Sequence, residues 1–306
     1  MKKRIIIDTD MGADDYIAIQ LALLSKDINV EGVSLVHGNT TMDNVKKNVF
    51  KTLDMINMNN KVKVYEGESN PLYNYDVNTK DNAFGSNGFS DVLYDDVKGT
   101  IEKESAINFM IDKVNNNPNE ISIVAIGPLT NIAKAIMTNK NFSKNIKELI
   151  IMGGAENYGN ITEYAEFNFY NDPMACKIVF SSGIKNIIMI GFNVTKKVTI
   201  NMLLEAKLKN ANNKNANFIY DITRDSAKLD KEKNNTDGAI ISDAINICYL
   251  IDNNILSLKE ANVKIITEKN DHLGESVVSY DDNTNCMIAD DVDSKKCLDI
   301  IFNTIL

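Results

Sequence analysis

The chain reads as an α/β protein with a mostly parallel sheet. Two observations predict this. Short β-branched runs alternate with longer stretches of helical apolar spacing, the pattern of strand–helix–strand units. No Pro-rich or Gly/Ser-rich linker and no internal repeat breaks the alternation, so residues 1–306 read as a single domain.

The elements follow in order. Residues 4–7 (RIII) form a buried strand, and 14–24 a helix with apolar positions at Ile17, Leu21 and Leu24. Residues 33–37 are the second strand, 44–58 the second helix and 61–65 a third strand. Residues 101–114 are helical, 121–126 (ISIVAI) form a strong strand, and 129–137 are helical again. Strands at 148–152 and 186–190 flank a helix at 173–180. Residues 216–229 and 239–251 read as helices, and 263–267 with 276–280 as a closing hairpin or edge pair. The sum is an open, Rossmann-like sheet flanked by helices. Two polar stretches, about 70–96 and 210–237, read as lid-like loops, the second mixing a helix with polar ends.

Composition narrows the function. With 33 Lys plus Arg against 42 Asp plus Glu, the net charge of −9 disfavours nucleic acid and anionic membranes as partners. The N-terminal apolar run, Ile5 to Ile7, is too short for a signal peptide, which needs about 7–15 residues. No apolar stretch approaches the ~20 residues of a membrane span. Cys176, Cys248, Cys286 and Cys297 form no CxxC pair and the chain has 2 His, so no zinc pattern exists. The expectation is four reduced thiols in a cytoplasmic protein. Asn is over-used, so a single Asn carries little weight outside a motif.

The chemistry concentrates in Asp8-Thr9-Asp10-Met11-Gly12-Ala13-Asp14-Asp15, where a buried strand ends and a helix begins. In a parallel sheet that junction lies at the carboxyl edge, where ligands bind. Helix capping explains one or two of the four acids. It does not explain Asp8 and Asp10. Carboxylates crowded into one crevice repel, so some must protonate or a cation must neutralise them. All-oxygen ligands suit Ca²⁺ or Mg²⁺. A DxD after a strand also fits a haloacid-dehalogenase-type phosphatase, but Gly12 stands where that chemistry wants Thr or Val, and Asp14-Asp15 has no part in it.

The segment resembles the DTDxGxDD signature of the inosine–uridine-preferring nucleoside hydrolases. Further motifs follow in the order that family shows: His37-Gly38-Asn39, then the segment 126–131 (IGPLTN), then Met152-Gly153-Gly154. The segments 165–173 (AEFNFYNDP) and 191–195 (GFNVT) complete the series. The matches run from Ile5 to about Leu250, and each motif sits at a strand end.

The resemblance implies the nucleoside hydrolase fold and a Ca²⁺ site made by Asp10, Asp15, Asp243 and the backbone carbonyl of Ile126. It implies hydrolysis of a ribonucleoside to ribose and free base, with Asp10 as general base for a water acidified by the metal. Asp14, Asn39, Met152, Asn160, Glu166 and Asn168 would bind the substrate, with Asp8 behind them holding the loop. A homodimer or homotetramer is also implied. The leaving-group side departs from the pattern. Ser242 stands where many members carry a histidine, Phe84 aligns where a second pocket histidine is usual, and the chain has no Trp. Ser is too weak an acid to replace histidine. Tyr220 or Arg224 could reach the base instead, and Phe84, Phe89 or Tyr75 could stack on it. Two further readings therefore stay open: hydrolysis of another N-riboside, and a ribose- or nucleoside-binding protein with little turnover.

Overall fold

Ile5, Ile6 and Ile7 are fully buried at the centre of the molecule, and the strand carrying them decides the layering. Ile5 and Ile7 pack into one hydrophobic cluster and Ile6 into the other, because successive strand side chains point to opposite faces. A strand buried on both faces needs helices on both sides, hence an apolar run without polar alternation. The computed structural model describes residues 2–76, 84–281 and 283–306. Residues 77–83, inside the first expected lid, lie outside the described residues.

In chain order the strands begin with β1 (Lys3–Thr9), β2 (Ile28–Leu35), β3 (Val64–Glu66), β4 (Ile121–Ala125), β5 (Glu148–Met152) and β6 (Ile187–Ile190). They continue with β7 (Thr199–Asn201), β8 (Gly238–Ile240), β9 (Leu256–Ile265), β10 (Ser276–Ser279) and β11 (Cys286–Val292). Nine of them form one sheet in the order β10-β9-β11-β6-β5-β4-β1-β2-β3. From β3 across to β11 the pairs are parallel, and β9 and β10 add an antiparallel edge. The chain steps outward from β1 to β3 in one direction and from β4 to β6 in the other. The winding therefore reverses between β1 and β4, and the loops leaving these two strands part to open a crevice. Asp10 follows β1 and Ile126 follows β4, so both motifs meet there.

The expected elements are present with shifted ends. The helix read at 101–114 is Ala106–Asn116, because Ser105 caps it by accepting from Asn108 N, while Ile101 bridges to Val64. The expected hairpin or edge pair is the antiparallel β9–β10 pair.

Three readings need correction. The helix read at 239–251 splits into β8, a turn and the helix Ala244–Ile251. The run is apolar throughout, so its periodicity hid the break. Gly238 allows β8 to lie against β7, since a Cβ there would collide with Ile200 O. The helix read at 216–229 is present but longer, Lys214–Asn234, so it takes up most of the stretch 210–237; Asn213 caps it, accepting from Asn215 N and Ala216 N. Finally, the helices Met202–Asn210 and Ser294–Ile305 and the strand β11 went unread, polar residues having masked their apolar faces.

The described part of the first lid docks on that long helix. Phe89 is fully buried and meets Tyr16 edge-on at 5.7 Å and Phe218 at 5.9 Å, while Ser90 Oγ donates to Ile222 O at 2.5 Å. Phe89→Ala should therefore cost about 3 kcal/mol in urea unfolding, the range for a buried Phe. A loss below about 1 kcal/mol would show that the segment is not packed as described.

Candidate active site

The floor of the crevice is a set of buried carboxylates held by the loop after β1 and by two helix starts. Met11 adopts a left-handed backbone, φ 53°, between Asp10 and Gly12, a conformation costly for a side-chain-bearing residue and found where a loop is closely constrained. Asp15 accepts from Thr9 Oγ1 at 2.5 Å and from Gly12 N at 2.7 Å, closing the first turn of the helix Ala13–Leu24. The capping explanation thus holds for Asp15. Asp243 sits at the N-terminus of Ala244–Ile251 without capping it. Carboxylate oxygens of Asp14, Asp15 and Asp243 all lie within 4.8 Å of one another. Asp10 is fully buried beside them, and its Oδ2 accepts from Asn39 N at 2.8 Å.

These groups strain against their own charge. Burial, reinforced by Asp15 and Asp14, holds Asp10 well above the ordinary carboxylate range. Burial likewise pushes Asp14 to about 8 and Asp15 to about 6, with Asp15 adding to the rise at Asp14. Asp243 is driven up by burial and by Asp14, Asp15 and Asp10. Asp10 Oδ1 is buried with no hydrogen-bond partner among the described residues. An orphaned carboxylate oxygen within an all-oxygen acidic cluster fits a hard divalent cation. Asp8 plays a different part. Ser34 Oγ at 2.6 Å and Asn131 Nδ2 at 2.8 Å donate to it, and Asn131 also donates to Leu35 O at 3.0 Å. Asp8 and Asn131 therefore tie together the ends of β1 and β2 below the floor.

One wall of the pocket is built by the loop after β5. Glu166 accepts from Gly154 N at 2.9 Å, Asn168 N at 3.0 Å and Phe169 N at 3.2 Å, and burial pushes it to about 7. Asn168 Nδ2 reaches Met152 O at 3.1 Å and Ile126 O at 3.4 Å, and Asn160 Oδ1 accepts from Phe167 N at 2.8 Å. Asp14, Asn39, Ile126, Met152 and Asp243 also line the pocket, with Asp10 and Asp15 behind its surface.

The same pocket is lined by Phe84, Phe192, Ile240 and Ser242, together with Ser226, Leu229, Asp230, Lys233 and Asn234 from the long helix. Ser242 Oγ donates to Thr195 Oγ1 at 3.0 Å. His37, although in a motif, lies beneath the site. Its Nε2 is 2.8 Å from Thr130 Oγ1, which donates to Asp172 Oδ2 at 2.7 Å, and burial lowers its pKa to about 4, leaving it neutral near pH 7.

A family model described as inosine-uridine preferring nucleoside hydrolase matches residues 5–299. The chain belongs to this family. A probable uridine nucleosidase 2 of Oryza sativa subsp. japonica is 32% identical over 87% of this chain and 79% of its own. The pyrimidine-specific ribonucleoside hydrolase RihB of Escherichia coli is 30% identical over 90% of this chain and 87% of its own. Among solved structures, a plant nucleoside hydrolase superposes with a TM-score of 0.93 at 25% identity, covering 100% of this chain and 99% of its own. A purine-preferring ribonucleoside hydrolase from Gardnerella vaginalis reaches 0.91 at 27%, covering 99% and 98%. The nucleoside hydrolase fold follows from these matches.

Against that family pattern, the fold gathers Asp10, Asp14, Asp15, Asp243, Ile126, Asn39, Met152, Asn160, Glu166 and Asn168 around one crevice, and adds Phe84 and Ser242 to its lining. It does not bring Tyr220 or Arg224 there. At roughly 100° per residue, Ser226, Leu229, Asp230 and Lys233 centre one helix face, and Tyr220 and Arg224 lie more than roughly 100° from that centre. Lys209 Nζ sits over the Tyr220 ring at 5.5 Å, and Arg224 pairs with Asp221 at 3.7 Å. Phe89 is in the core and Tyr75 packs on Tyr73, so neither faces the pocket. The i, i+3, i+4, i+7 spacing from Ser226 was the available signal for the face that does.

Gly38 offers a test of how tightly family members of this sequence must hold Asp10. Its φ is +156°, and a Cβ there would collide with Asp10 Oδ2. Gly38→Ala should displace that carboxylate and cost roughly 100-fold in kcat/KM, the scale of a small misplacement, with little change in the far-ultraviolet circular dichroism. Unchanged turnover would mean that Asp10 tolerates being moved.

Proposed function

We propose that the protein hydrolyses the N-glycosidic bond of ribonucleosides to ribose and free base, with Ca²⁺ held by Asp10, Asp15, Asp243 and the carbonyl of Ile126. The observation that carries this reading is a buried, self-repelling carboxylate cluster beneath a pocket that carboxylates, amides and aromatic side chains line together. Ribose hydroxyls suit the carboxylates and amides. Asp14 lines the pocket and takes them as acceptor, while Asn39, Asn160, Glu166 and Asn168 fix the ring. Three backbone N–H groups lock Glu166 in place before substrate arrives. Phe84, Phe192 and Ile240, which line the same pocket, take the flat base.

In the reaction, a water oxygen bonds to C1′ while the C1′–N bond breaks. Asp10 accepts the proton of that water. Bound Ca²⁺ would supply Lewis acidity toward the water and neutralise the cluster. Carboxylates around the sugar stabilise the positive charge that develops on ribose. The proposal includes the single domain with its lid segments, a homodimer or homotetramer, and a cytoplasmic setting suited to four free cysteines. Ser242, committed to Thr195, favours a second reading in which the true substrate is another N-riboside with a readily departing base.

Ribose release from inosine, guanosine, adenosine, uridine, cytidine and nicotinamide riboside tests the reading. At least one should be cleaved, chelation should stop it and added Ca²⁺ restore it, and Asp10→Ala should lower kcat by about 10²–10⁴-fold. Turnover indifferent to chelation, or binding of every riboside with cleavage of none, would overturn it.

A further inference from the structure

On the hydrolase reading, we propose that the ammonium of Lys233 assists departure of the base. Of the described pocket-lining side chains that this reading does not assign to the sugar, those carrying a polar hydrogen are Ser226, Lys233, Asn234 and Ser242. Ser226 and Ser242 carry hydroxyls too weakly acidic to protonate a departing base near pH 7, and they lie against Thr223 O at 2.8 Å and Thr195 Oγ1 at 3.0 Å. Asn234 Nδ2 spends one N–H on Asp230 Oδ1 at 2.9 Å and is not an acid. Lys233 is the cationic side chain among the described residues lining the pocket. It stands in the last turn of the helix Lys214–Asn234, on the face that Ser226, Leu229 and Asp230 turn to the pocket. Three residues before it, Asp230 is fixed by Asn234 Nδ2 and by Ile240 N at 2.9 Å, an anchored acid at the spacing that steers a lysine head.

The chemistry balances with groups already named. As the C1′–N bond breaks, its electron pair stays on the base nitrogen. The water oxygen takes its place on C1′, and the water proton goes to Asp10. The ammonium donates a hydrogen bond to an acceptor atom of the departing base and then passes it a proton, so the base leaves neutral. Lys233 is exposed to solvent, which returns the proton.

Lys233→Met, Lys233→Arg and Lys231→Met would be assayed on the best ribonucleoside and on p-nitrophenyl β-D-riboside, whose leaving group departs without protonation. Lys231 is on the same helix and does not line the pocket, so its variant controls for net charge. Lys233→Met should lower kcat on the ribonucleoside by about 10²-fold and on the nitrophenyl riboside by less than about 3-fold. Lys233→Arg should recover part of the loss, and Lys231→Met should match the wild type. Equal losses on both substrates, or no loss on either, would overturn the inference. A wild-type protein that cleaves neither compound would instead overturn the hydrolase reading and the inference with it.

Discussion

Like-charge repulsion in a dry crevice is the constraint on which the site depends. Asp10, Asp14, Asp15 and Asp243 are taken out of water together; burial raises the proton affinity of all four, and neighbouring carboxylates add to the rise at Asp10, Asp14 and Asp243. Leaving such a cluster uncompensated costs several kcal/mol per ion. The fold offsets part of the cost. The helices Ala13–Leu24 and Ala244–Ile251 both begin at the cluster, and their positive ends favour anions there. The remainder calls for protons or for a cation, and the orphaned Asp10 Oδ1 marks where compensation is lacking.

The sheet makes that crowding possible. Reversal of winding between β1 and β4 opens the crevice, and the strand ends are bolted below it by polar contacts. Asp8 and Asn131 join β1 to β2, and His37, Thr130 and Asp172 form a second buried chain alongside. Asp172 also accepts from Leu72 N at 2.8 Å and Ala175 N at 3.0 Å, so the same chain anchors the segment leading to the lid. These motif residues touch no pocket surface. They keep the carboxylates from moving apart, which is what repulsion would otherwise do.

The parallel sheet was legible from sequence because its signal, short apolar runs between helical stretches, is local. A strand–turn–helix carrying four acids announces its position at the sheet edge, and the spacing of Asn160, Glu166 and Asn168 survives as a motif in an Asn-rich chain. Of the remaining lining, Phe84 and Ser242 were legible as motif positions, whereas Phe192, Ile240 and the late helix face come from segments distant in sequence with no shared pattern. Choosing Tyr220 and Arg224 relied on residue type, whereas the helix phase favours Ser226, Leu229 and Lys233. The 239–251 run failed for a related reason: burial on all sides erased the periodicity that separates β8 from the helix after it.

Asp243→Asn tests the central claim most directly, by melting temperature with chelator and with Ca²⁺. If repulsion governs the cluster without a cation and a cation resolves it, removing one charge should raise the melting temperature above wild type in chelator. In Ca²⁺ the order should reverse, because the variant has lost a ligand while the wild type gains the binding energy. A variant that melts below wild type by the same margin in both conditions would contradict the account, since Asp243 would then act through ordinary packing.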